Sequence, residues 1–361
     1  MPQLPENTST GRYVADKMHK LPNVGRMLQA KRNGIMFGAL FLSGYGYTCH
    51  KARTHPSECF RIGVAGSLSA IACDSTMHVI DTINIRSKVV LDKVHQNGLQ
   101  AEQNKAKNIK TFDLVKNIYK TEGFKGFVKG YTACLFGATI EGFSYCFLYK
   151  LIKQKQYEYV GPNVSQTWVF ASSSIMAEII CLSMYFPFDL VKTRLQSKNH
   201  IYKYKRVYDA FAKEIKQDGV KSLYQGAPPF MMTSLTYIAI QFTFYEAFMV
   251  ECKRHFTSET FTENERKLNI LGSFTAGCVA ATFTNPLECI TVNKQTQANF
   301  NIKAFVKKEG VFNVITKGML PRVVQSGCQS IFFFAFVFEL GKFFNVKLLD
   351  EWWQGNYRKL M

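Results

Sequence analysis

At 361 residues the chain could hold two ordinary soluble domains, but a formal charge of +19 beside 31 phenylalanines is an uncommon pairing for a soluble fold. Charge of that size suits nucleic acid or an anionic lipid surface; bases and aromatics here segregate into different segments, which excludes nucleic acid. The ten cysteines lie scattered in apolar stretches, which excludes a disulfide framework, and no serine-hydrolase elbow, Walker loop or zinc-protease motif marks an enzyme.

In chain order, residues 1–60 form an N-terminal extension with no secretory apolar core in its first thirty positions. Arg12, Lys17, Lys20, Arg26, Lys31 and Arg32 make it basic, as in a mitochondrial presequence, although Glu6 and Asp16 interrupt that pattern. An apolar, Gly-rich segment at 34–49, flanked by Lys31, Arg32, Lys51 and Arg53, is too short for a bilayer span. It predicts an interfacial helix or a partner-packing segment. His50, His55 and Cys59 near Cys49 lack metal-ligand spacing, so no metal site and no cofactor is expected.

Three units come next, at 61–158, 159–256 and 257–345, before a tail at 346–361 that carries Trp352 and Trp353. Each unit places small residues, then apolar ones, then an acid: Asp81, Asp189 and Glu288. Downstream of each lies an acid–glycine pair (Glu122-Gly123, Asp218-Gly219, Glu309-Gly310), then a second glycine at Gly130, Gly226 and Gly318. Each unit therefore reads as a long helix, a basic loop with a short amphipathic helix, and a second long helix. The predicted spans are 62–86, 130–152, 167–192, 228–250, 269–292 and 319–343, each long enough for a bilayer, which needs about 20 residues. A repeat near a hundred residues is too long for a soluble helical solenoid. Mean hydropathy of −0.08 is what spans averaged with long basic loops would give. The expected fold is an all-α membrane protein of six transmembrane helices in three pseudo-symmetric repeats.

The second unit contains Pro187-Phe188-Asp189-Leu190-Val191-Lys192-Thr193-Arg194, then Asp218-Gly219 and Tyr224-Gln225-Gly226. This run, within a threefold repeat over about residues 60–345, resembles the mitochondrial carrier family. The resemblance implies a multi-pass protein of the mitochondrial inner membrane, short helices on the matrix side, and both termini toward the intermembrane space. It also implies two rings of ion pairs that close a central cavity alternately. A proline kinks each helix toward the centre, and an acid and a base one turn apart pair with neighbouring helices.

Carried over to this chain, the matrix-side ring comprises Asp81, Arg86, Asp189, Lys192, Arg194 and Glu288. Val79, Asn84, Thr291 and Asn293 depart from the pattern, so three acids face one correctly placed base, Lys192. At most one ordinary bridge is expected there. The cytosolic ring comprises Lys150, Lys153, Glu246, Glu339 and Lys342; Lys150 stands where an acid belongs, and its expected partner is Glu246 or Glu339.

The family's substrate contacts fall at Gly137, Ala138, Thr233, Ser234, Gln325 and Ser326, none of them charged, which argues against an anionic substrate. Helical spacing adds Asp74, His78, Glu141, Glu178, Tyr237 and Gln329 as inward-facing. Asp74 and Glu141 would suit a cation or an amino acid; alternatively these acids pair with lysines or reach water. The helix starts at Lys129, Gly130, Gly226, Lys317 and Gly318 resemble the family's cardiolipin sites. Loop lysines such as Lys105, Lys107, Lys116, Lys203, Lys205 and Lys213 read as charge retained on one side of the membrane.

Two functions fit. One is a working carrier of a neutral or cationic metabolite. The other, favoured by the degraded gates and the added segments, is a carrier fold kept as an accessory subunit of a large inner-membrane complex.

Overall fold

A computed structural model describes residues 51–89, 111–160, 166–197, 202, 204, 207–297 and 300–346. The segment 34–49, the loop at 90–110 and the tail beyond 346 lie outside the described residues. The chain divides into a unit at 1–55 and a second at 56–361, to which all the long helices belong.

The described residues of this second unit are all helical apart from turns. Six long helices are α1 (Glu58–Lys88), α3 (Tyr131–Val160), α4 (Gln166–Ser197), α6 (Ala227–His255), α7 (Ser258–Thr296) and α10 (Met319–Phe343). Four short ones lie between them: α2 (Thr111–Glu122), α5 (Val207–Asp218), α8 (Ile302–Glu309) and α9 (Val311–Thr316). Long helices cover all six predicted stretches, most of them extending further than predicted. Each long helix packs on the next, and α10 returns to α1, so the six close into a ring in which α4 and α6 meet most sparingly.

Local chemistry explains where these elements start and stop. Ser57 caps α1 by accepting the Phe60 N–H at 3.4 Å, with Glu58 in the first turn and Arg86 and Lys88 in the last, as the helix dipole favours. The short helices bury one face. In α5, Ala210 packs with Val191, Leu223 and Ala133, and in α8 Phe305 packs with Cys289, Phe300 and Val314.

Glycines set the turns and the closest helix approach. Gly130, Gly226 and Gly318 have φ of 77°, 89° and 65°, and Gly123, Gly219 and Gly310 are also in the positive-φ region, which a side chain would strain. Gly130 rests on the end of α4, Gly226 on the end of α7 and Gly318 on the end of α1, the same contact made three times around the ring. Where α1 crosses α3, a Cβ on Gly66 would sit 2.5 Å from the Gly142 carbonyl oxygen. Gly66→Leu is therefore expected to part the two helices and destabilise the fold by about 1–3 kcal/mol or more. Thermal unfolding in detergent checks it, and an unchanged midpoint would refute the close crossing.

Only one helical stretch among the described residues, Ser172–Ser197, is by length and composition apolar enough to cross a membrane. The sequence-based expectation of six such spans holds for length but not for hydropathy. Acids, amides and hydroxyls facing the inside of the ring dilute the others.

Candidate functional site: a six-helix cavity and its gate

The ring encloses a cavity of about 890 Å³, with residues of all six long helices in its wall. Seven carboxylates line it against two bases, Lys192 and Arg322. At the end where the signature residues gather, a network spans the ring.

Its logic is cyclic. Asp81 on α1 accepts from α4: the Lys192 ammonium lies 3.1 Å away and the Gln196 amide 3.3 Å. Asp189 on α4 accepts from α7, where the Gln295 amide is at 3.0 Å. Glu288 on α7 accepts from α1, with the Asn84 amide at 3.0 Å and the Lys88 ammonium at 2.5 Å. In every case the donor stands three or seven positions after the acid of its own helix. Those positions lie one turn apart on one helix face, so both reach the same neighbouring carboxylate.

Three supports complete the seal. The Tyr185 hydroxyl donates to Asp189 at 3.2 Å, the Gln325 amide to Asp81 at 3.0 Å, and Arg322 pairs with Glu288 at 2.7 Å.

A second cyclic set lies just beyond. Arg86 donates to the Gln196 carbonyl and Arg194 to the Gln295 carbonyl, each at 2.9 Å; Asn293 donates to the Lys88 carbonyl at 3.0 Å. Arg86 also pairs with Glu122 at 2.6 Å, and Arg194 with Glu214 at 2.5 Å, tying α1 to α2 and α4 to α5. Asn293 thus keeps the position's backbone contact while losing its charge.

Proline fits the same design. Pro187 has no N–H for the carbonyl of Ser183 one turn back, and the Tyr224 hydroxyl donates to that carbonyl at 3.2 Å.

Several sequence-based expectations need correction. The ring is less damaged than expected. Lys192–Asp81 is the one bridge in the ordinary register, but Glu288 has two bases, Lys88 and Arg322, that motif spacing missed. A helical side chain leans toward its helix N-terminus, so Lys88, one turn past Asn84, reaches back to where a base at 84 would act. Arg322 comes from α10, outside the signature.

At the opposite end Lys150 pairs with Glu58 at 3.3 Å, not with the expected Glu246 or Glu339, because the start of α1 lies beside α3. Lys342 pairs with Glu339 along its own helix at 3.4 Å, Lys153 lies over the Tyr149 ring at 5.8 Å, and Glu246 lines the cavity.

Among the expected contacts, Thr233, Ser234, Gln325, Ser326, Asp74, Glu141 and Tyr237 line the cavity. Gly137 and Ala138 are buried and do not belong to that wall; Gly137 packs against the Tyr185 ring, where a Cβ would come within 2.9 Å. His78, Glu178 and Gln329 do line the wall. At the helix starts, Lys129 pairs with Glu122 at 2.5 Å and Lys317 with Glu309 at 3.4 Å.

The family profile described as "Mitochondrial carrier protein" matches residues 56–159 and 164–256, the stretches that hold α1 to α3 and α4 to α6. The chain belongs to the mitochondrial carrier family. As a carrier-family chain it is 28% identical over 283 residues to mitochondrial substrate carrier family protein E of Dictyostelium discoideum, covering 72% of this chain and 88% of that one. It is 26% identical to mitochondrial phosphate carrier protein 3 of Arabidopsis thaliana, over 58% of this chain and 57% of that one. It is 25% identical to mitoferrin of D. discoideum, over 66% and 72%. These relatives are mitochondrial carriers by name.

Proposed function

We propose that the chain is a working solute carrier, not an enzyme, that crosses the inner membrane six times in three repeats. It moves a neutral or cationic metabolite by alternating access. The observation that carries this reading is the cavity: six helices wall it, and a network of ion pairs and hydrogen bonds spans one end. A purely structural fold has no need of a polar hollow closed by breakable pairs.

Apolar side chains on the outside support the membrane placement. Phe283 is 64% exposed and Leu320 65%, which suits lipid rather than water. The recurrent glycine turns and the cyclic gate support three repeats. Cardiolipin phosphates at the starts of α3, α6 and α10 belong to the same reading, with backbone N–H groups as donors, since Lys129 and Lys317 already have acid partners.

Reconstitution of the full chain into cardiolipin-containing liposomes, with counter-exchange across a panel of neutral, cationic and anionic solutes, tests the carrier reading. Exchange by the wild type and loss of it in gate variants is the expected result. No exchange with any solute, together with native migration inside a large complex, would replace this reading with the accessory one.

A further inference from the structure

We infer that the cavity's ligand is an organic cation, an amine or guanidinium too large to be a bare metal ion, seated against Asp74, Glu141 and Glu178. This deepens the carrier reading and rests on it. Of the seven lining carboxylates, Asp81 and Asp189 share Lys192, and Glu288 holds Lys88 and Arg322. Asp74, Glu141 and Glu178, on α1, α3 and α4, and Glu246 on α6 are in no ion pair among the described residues; the nearest partner of Asp74 is the Cys134 thiol at 3.9 Å. Three carboxylates in one part of a confined cavity repel one another and are poorly solvated. A cation between them removes both costs.

A second observation is independent of the acids. His78 is 2% exposed, and it lines the same wall one turn along α1 from Asp74. Its Nε2 faces the Lys129 carbonyl at 3.1 Å. A carbonyl can only accept, so Nε2 carries the proton, and when the ring is neutral Nδ1 is an acceptor. That Nδ1 is buried with no partner. An unfilled acceptor calls for a hydrogen-bond donor, as unpaired acids call for a positive charge.

Size and shape exclude the simplest cation. No three His, Cys, Asp or Glu side chains among the described residues come together as one metal ion would need. Charge spread over three helices fits a molecule that spans them. Tyr145 and Tyr185 line the same cavity, and aromatic side chains suit an ammonium or guanidinium.

The test is ligand-induced thermal stabilisation of the purified full chain, with arginine methyl ester, spermidine and choline as cationic probes. Glucose, citrate, ATP and Mn²⁺ are the comparison set. At least one organic cation should raise the unfolding midpoint and exchange across reconstituted liposomes. Asp74→Asn and Glu141→Gln should weaken its apparent affinity about ten-fold or more, since each removes one charged hydrogen-bonding partner. Both substitutions relieve like-charge repulsion, so the free variants should unfold no earlier than the wild type, which separates lost binding from lost fold. Stabilisation and exchange with only the neutral, anionic or metal probes, unchanged in the two variants, would overturn the cation assignment and leave the carrier reading standing. Absence of binding and of exchange with every probe would overturn both.

Discussion

Replacing Lys192 with alanine should abolish exchange and lower stability by about 3–5 kcal/mol, the size expected when one partner of a buried ion pair is removed. Lys192 and Asp189 are each 8% exposed, and Lys192 is the base shared by Asp81 and Asp189. Without it, both carboxylates keep only neutral donors, Gln196 and Gln325 for Asp81, Gln295 and Tyr185 for Asp189. The closed end then carries two uncompensated charges. Adding Asp81→Asn to Lys192→Gln should recover part of the stability, because the acid and the base leave together. Thermal unfolding in detergent decides the matter. A Lys192→Ala midpoint within a degree of wild type would mean that water reaches the network and the seal is not one.

Glu288→Ala should cost as much or more, and clearly more than Lys88→Met. Glu288 is the shared anion of two bases, with Lys88 wholly buried at 0% exposure and Arg322 at 2.7 Å. Removing Glu288 leaves two cations facing each other near the centre of the ring. Removing Lys88 leaves Glu288 on Arg322 and Asn84, a complete if smaller cluster. The order of the two midpoints is the informative quantity, since both substitutions touch the same seam between α1 and α7. A reversed order would mean that Lys88 supports the fold through its packing rather than through Glu288.

The helices, their recurrence and Lys192 as the one base in register were legible in the sequence because local features carry them. Glycines where φ turns positive, proline in a span, and an acid and a base one turn apart are all visible in one dimension. The strength of the rest of the ring was not. Thr291 and Asn293 read as losses, yet Asn293 keeps a backbone contact that an amide can make as well as a guanidinium. Arg322 was hidden because it arrives from another helix. Lys88 was hidden because a motif counts positions and does not follow the long side chain that leans back a full turn. The pairing expected for Lys150 failed for the opposite reason. It assumed partners at equivalent positions in other repeats, while the acid within reach sits at the start of α1. In the cavity, helical spacing found Asp74, His78, Glu141, Glu178 and Tyr237, whereas the count from the opening glycine put Gly137 and Ala138 in a wall they do not form. Helix packing, not position along the helix, decides which side chains see the hollow.

Two residues a turn apart on one helix can hold the same carboxylate of its neighbour, as Lys192 with Gln196 and Asn84 with Lys88 do. That redundancy makes the charge portable. A lysine can appear at the outer position before one at the inner position is lost, and the acid is never left bare between the two changes. Nor must the three seams change together, since each has its own donors: a pair for Asp81 and for Glu288, and Gln295 alone from α7 for Asp189. The bond between α4 and α7 runs through an uncharged amide, Gln295 to Asp189, while its two counterparts are ionic. A threefold scaffold can in this way drift from symmetry one contact at a time, and remain shut at every step.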